Sequence, residues 1–112
     1  MSKRRVVITG MGIVSPVGST LDDAWRNVYE GNSGTVVVDD FDTSTYPTRI
    51  AGLVQGFDVD AYLAKKDQRK NDPFIHYSVG ASVDAIRDSG LEITEENGHR
   101  IGVALGAGIG GI

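Results

Sequence analysis

Two apolar runs constrain this chain more than any other feature of it. Residues 5–14 read RVVITGMGIV and residues 100–105 read RIGVAL. Val6, Val7 and Ile8 are β-branched or aliphatic at consecutive positions, so an extended strand there would be apolar on both faces. Such strands belong to parallel sheets covered by helices front and back. Between the two runs lie two segments with helical periodicity. The order strand, helix, irregular excursion, long helix, strand predicts an α/β fold with a parallel sheet. Two strands do not complete a sheet buried on both faces. The expectation is therefore the opening part of a larger domain, whose last strand leads nowhere within these residues.

The helices are legible from their ends. Thr20 is a capping residue before a helix over Leu21–Glu30, with Asp22 and Asp23 at the positive end of its dipole. Leu21, Ala24, Trp25 and Val28 follow the i, i+3, i+4, i+7 spacing and predict one apolar face, and Gly31 ends the helix. Asp72-Pro73 starts a second helix that should run to about Asp88 before Gly90. Ile75, Val79, Val83 and Ile86 form its expected buried stripe. In the irregular middle, residues 35–38 and 50–54 read as short strands, and Asp58 reads as the cap of a short helix reaching Ala64.

Each apolar run leads into glycines. Gly106, Gly108 and Gly111 have the spacing G-x-G-x-x-G, which in a dinucleotide site cradles a pyrophosphate at a helix N-terminus. That chemistry needs a helix directly after the loop and an acid about 20 residues later. Neither lies within the 112 residues. With 15 glycines, about twice the usual ~7% share, the spacing also arises readily by chance. The earlier Gly10-Met11-Gly12 has Ser15-Pro16 where a phosphate turn needs its third glycine and a helix. The simpler reading of both stretches is close approach of backbone, or a sharp turn with positive φ.

Charge gives a further lead. The chain carries 11 Lys and Arg against 15 Asp and Glu, a formal net charge of −4, which argues against bulk nucleic-acid binding. Yet residues 65–70, KKDQRK, place four bases in six positions. A local basic patch on an acidic chain is either a solvated helix end or a docking point for a small acidic partner, steered by its field. There is no cysteine, hence no disulfide, thiolate metal site or cysteine nucleophile in these residues. His76 and His99 have no second ligand at metal spacing and read as structural or exposed. Asp39-Asp40 reads as a solvated loop, and no serine or carboxylate set has triad or paired-acid spacing. No stretch reaches the ~18 apolar residues of a membrane span, and the start lacks the form of a secretory signal, so a cytoplasmic location is expected.

Taken together, RRVVITGMG at 4–12, SPVG at 15–18, FDTS at 41–44, AGLV at 51–54, QRK at 68–70, DSGLEITEEN at 88–97 and GIGG at 108–111 resemble the β-ketoacyl-acyl carrier protein synthases. The likeness covers all 112 residues and is nearest to the type II bacterial branch of fatty-acid synthesis. It implies an α/β thiolase-like layered fold, residues 1–112 forming an incomplete N-terminal part of the first α/β half, usually in a homodimer. It also implies acyl transfer from acyl carrier protein to a cysteine. Decarboxylation of malonyl-carrier protein then gives a carbanion that attacks the acyl thioester, with no metal or redox cofactor. The family's cysteine and two histidines belong to later segments, so residues 1–112 alone are expected to be inactive. Lys66, Arg69 and Lys70 match the positions that dock the carrier protein. Ile109, beside Gly108, matches the residue that lines and gates the acyl pocket. Two other readings stay open at this point: the nucleotide-binding start of a dehydrogenase, and a stand-alone module that only binds carrier protein.

Overall fold

A computed structural model describes residues 3–111. They separate into two compact units, one running from Ile13 to Asp58, the other made of the stretch up to Gly12 and everything from Val59 onward.

In the Ile13–Asp58 unit the chain turns at once. Ser15 and Gly18 exchange backbone hydrogen bonds of 2.9 and 3.1 Å. Helix α1, Leu21–Glu30, follows with the ends its sequence specifies. Thr20 accepts from the Asp23 amide at 3.2 Å, meeting one of the orphan donors of the first turn. Gly31 closes the helix in the left-handed region at φ 76°, where a side chain would be strained. The apolar face is only partly covered: Ala24 is 4% exposed, but Trp25 remains 69% exposed. Strands β1, Thr35–Val37, and β2, Ile50–Gly52, pair antiparallel with Val36 opposite Ala51. Gly34 and Gly52 let this ribbon lie against Pro16; a Cβ at Gly34 would fall 2.6 Å from the Pro16 carbonyl carbon.

The other unit is organised by one long helix. A 3₁₀ turn, Val59–Ala61, precedes the single-turn helix α2, Lys65–Gln68, and then α3, Pro73–Ser89. The helix expected from Asp58 to Ala64 is thus only the 3₁₀ turn. Proline stands at the first position of α3, where its missing N–H costs nothing, and Gly90 ends it at φ 63°. Asp72 occupies the N-cap position but makes no side-chain cap bond. The stripe Ile75, Val79 and Val83 is half-buried, and Ile86 is exposed. The close-packed side of α3 is instead its small-residue side, with Gly80 buried. Residues 10–12 pass across it. A Cβ on Gly12 would collide with the Ala81 carbonyl oxygen and lie 2.7 Å from the Ala85 nitrogen. One on Gly10 would collide with Ala85 and Ser89, and the Met11 amide donates to Asp88 Oδ2 at 2.8 Å.

The two apolar runs differ from expectation. Neither 5–14 nor 100–105 is assigned to a strand, and both are largely exposed, with Val6 88% and Val103 76% accessible. The physical reason is that a strand is defined by its neighbour. Neither run finds a ladder partner among the described residues, so their β-branched sequence has the propensity for a strand without the pairing that makes one.

Candidate functional site

Both sites expected from sequence lie in the unit built on α3, and both are attached to its first two turns.

The basic cluster occupies α2 and the turn after it. One helical turn is far too short to persist by backbone bonds alone, and side chains supply the rest. Lys65 Nζ bridges the Asp60 carboxylate, 2.7 Å from Oδ2 and 2.6 Å from Oδ1. Gln68 Nε2 donates to Asp60 Oδ1 and to the Leu63 carbonyl, each at 2.7 Å. On the C-terminal side, Asn71 Nδ2 donates to the Asp67 carbonyl at 2.8 Å, and His76 Nε2 lies 3.2 Å from the Gln68 carbonyl. The hydrogen bonds from Lys65 and Gln68 hold the Asp60 carboxyl below its ordinary pKa. Lys66, Arg69 and Lys70 are exposed and have no side-chain partner among the described residues. The geometry thus divides the cluster, with one cation engaged internally and three presented to solvent. His76 serves the turn, as a structural histidine. His99 is exposed in a 3₁₀ turn, Gly98–Arg100.

The glycine loop lies against the start of α3. Gly110 takes φ 81°, and a Cβ built there would meet the Phe74 ring at 3.4 Å. At Gly111 a Cβ would collide with the Asp72 carboxylate. The carboxylate that sequence assigns to capping is therefore packed against the glycine backbone. Gly106 and Gly108 are different, because nothing lies within 4 Å of a Cβ built on either. Ile109, between Gly108 and the left-handed Gly110, is 78% exposed. A cleft of about 130 Å³ lies alongside, lined by Phe74, Ile75, Ser78 and Val79 of α3 and by Leu105, Gly106 and Ala107. It is mostly apolar and smaller than the ~300 Å³ at which ligand pockets begin. Neither Gly108 nor Ile109 lines it.

The unit Ile13–Asp58 holds a second, more polar hollow of about 320 Å³ at the start of α1, between residues 16–20, Asp23, Asn27, Gln55 and Gly56. Its side chains are used locally: Ser19 Oγ donates to the Gln55 carbonyl at 3.1 Å and Asn27 Nδ2 to the Val17 carbonyl at 2.7 Å. Among the described residues, no three His, Cys, Asp or Glu side chains gather as metal ligands, and no helix is long and apolar enough to cross a membrane.

Sequence reasoning missed Asp60, Phe74 and the placement of Asp72. Asp60 stands five residues before Lys65, outside the i+3 and i+4 spacings that mark helix ion pairs. Phe74 carries no signal beyond its apolar character.

Comparison with known proteins bears on what these features serve. Residues 3–112 match the model of the beta-ketoacyl synthase N-terminal domain. The 3-oxoacyl-[acyl-carrier-protein] synthase 2 of Vibrio cholerae is 56% identical over all 112 residues, and that of Coxiella burnetii 47% identical over the same length. The chain spans about a quarter of these relatives, 27% of each. Among solved structures, the ishigamide ketosynthase/chain length factor superposes with a TM-score of 0.69 at 28% identity, covering 86% of this chain and 23% of that one. The chain belongs to the β-ketoacyl synthase family, and its fold is the thiolase-like α/β fold of that family, represented here by its N-terminal part. This removes the dehydrogenase reading of the glycine loop.

Proposed function

We propose that this chain is the N-terminal portion of a 3-oxoacyl-[acyl-carrier-protein] synthase of the type II bacterial kind, acting in fatty-acid elongation. In the complete protein an acyl group passes from acyl carrier protein to a cysteine outside these residues. Malonyl-carrier protein loses carbon dioxide, and the carbanion attacks the acyl thioester to give the 3-oxoacyl product. A thiolate favoured at a helix N-terminus, and backbone amides around the oxyanion, are the physical means. The 112 residues contribute two things to this reading. Lys66, Arg69 and Lys70 dock the acidic carrier protein. Gly108 and Ile109 belong to the wall of the acyl pocket. A homodimer in the cytoplasm, without metal or redox cofactor, is part of the same reading, which takes residues 1–112 as one portion of the N-terminal domain.

The observation that carries the docking assignment is that three exposed cations, without a side-chain partner among the described residues, lie within five positions on a chain of net charge −4. A field of that sign steers an acidic partner and leaves the chemistry itself untouched. The test is Lys66→Glu/Arg69→Glu/Lys70→Glu in the enzyme expressed from the complete coding sequence. The KM for acyl-carrier protein should rise at least tenfold at low salt, by about the 1.4 kcal/mol that a factor of ten represents. Turnover of a carrier-free acyl thioester should not change. An unchanged carrier KM removes the docking role, and an enzyme that forms no 3-oxoacyl product from acyl- and malonyl-carrier protein removes the function.

A further inference from the structure

The cluster at residues 65–70 has four cations, but the structure does not treat them alike. Lys65 is held between both oxygens of Asp60, while Lys66, Arg69 and Lys70 have no such partner among the described residues. Asp60 also accepts from Gln68, the last residue of α2, so one carboxylate grips the helix at its first and its last residue. Gln68 carries the grip back to the Leu63 carbonyl. A four-residue helix has a single turn of backbone bonds and no cooperativity to keep it wound. Side chains hold the turn from both ends: the Asp60 clamp on one side, Asn71 and His76 on the other.

We infer that Asp60 is a positioning residue for carrier docking: it takes Lys65 out of the docking set and holds α2 so that Lys66, Arg69 and Lys70 act as one preorganised patch. The inference rests on the docking role proposed above. Its physical content is preorganisation. Cations already fixed in the bound arrangement lose less side-chain and loop entropy when the partner arrives.

Positioning and bare charge give opposite signs for the loss of Asp60. Asp60 is an acid next to a basic patch. If it acted only through its charge, removing it would strengthen the local positive field and tighten binding of an acidic carrier protein. Positioning predicts the opposite, because the freed Lys65 and Gln68 let the turn fray.

The experiment compares Asp60→Ala, Asp60→Asn and Asp60→Glu in the enzyme expressed from the complete coding sequence, beside the triple reversal of Lys66, Arg69 and Lys70. The readouts are KM and kcat with acyl-carrier protein and with a carrier-free acyl thioester of pantetheine. We expect Asp60→Ala and Asp60→Asn to raise the carrier KM roughly two- to fivefold, the scale of an exposed ion pair. The kcat and the carrier-free reaction should stay unchanged, and Asp60→Glu should restore most of the loss. Asn serves as the second variant should Ala not fold. A carrier KM that falls or stays level in the Ala and Asn variants overturns positioning, while the docking role survives if the triple reversal still raises it. Losses shared by the carrier-free substrate overturn it too, by showing that Asp60 acts through the fold. If the triple reversal changes nothing, the docking role fails and the inference with it.

Discussion

Two glycine stretches look alike in the sequence and do different work in the fold. Gly10-Met11-Gly12 and the glycines of residues 106–111 each follow an apolar run, and each imitates a nucleotide turn. In the first, both glycines are there because α3 is there: the missing side chains are the space into which the Ala81 and Ala85 backbone fits. In the second, a side chain on Gly106 or Gly108 would meet nothing within 4 Å, Gly110 is required by its φ of 81°, and Gly111 makes room for Asp72. Glycine spacing alone does not distinguish close packing, backbone conformation and an open loop. What lies across from each glycine does.

Gly12→Ala is the most severe way to break this contrast. The added Cβ meets helix backbone, which yields less readily than a side chain. We expect a loss of about 2–3 kcal/mol, the upper part of the overpacking range, seen as a lower midpoint in thermal or urea unfolding. A neutral result would mean that residues 10–12 do not press on α3, and the close approach would have to be abandoned. Gly110→Ala comes next. Its cost is conformational, about 1–2 kcal/mol for placing an L-residue in the left-handed region, with the Phe74 ring only 3.4 Å from the new methyl carbon. Unfolding midpoints again decide it, and Gly110→Asn, which tolerates that region better, should lose less than alanine.

How much of this was legible follows from where each signal resides. The ends of α1 and α3 were readable because caps are local: Thr20, Gly31, Pro73 and Gly90 each act on backbone within a turn of themselves. Asp72 shows the limit of that logic. Its residue type suits a cap, but its carboxylate lies against Gly111, far along the chain, and no local rule sees that. The apolar stripe of α3 was readable as a pattern. That its tightest packing would use Gly80, Ala81 and Ala85 depended on residues 10–12 arriving on the other side. Residues 5–14 and 100–105 failed as strands for the converse reason, since strand character needs a partner and none is present among the described residues. The basic cluster was visible as charge. The division between Lys65 and the three exposed cations was not, because it depends on Asp60 across a bend in the chain.

The gentlest test addresses the open glycine. Gly108→Ala should leave unfolding within about 0.5 kcal/mol of the parent, as exposed substitutions do, since nothing lies within 4 Å of the added carbon. Ile109→Phe should be equally mild for stability, because Ile109 is already largely in solvent. Under the proposed substrate role, both changes nonetheless matter to the complete enzyme. The added volume narrows the acyl pocket, and the product profile shifts toward shorter chains, more for Phe than for Ala. A stability loss in Gly108→Ala would show that the loop is packed in the working protein. An unaltered chain-length profile in both variants would leave the loop without a part in the acyl pocket. A shift without a stability loss is the outcome that separates this glycine stretch from residues 10–12, where any effect on activity would come through the fold.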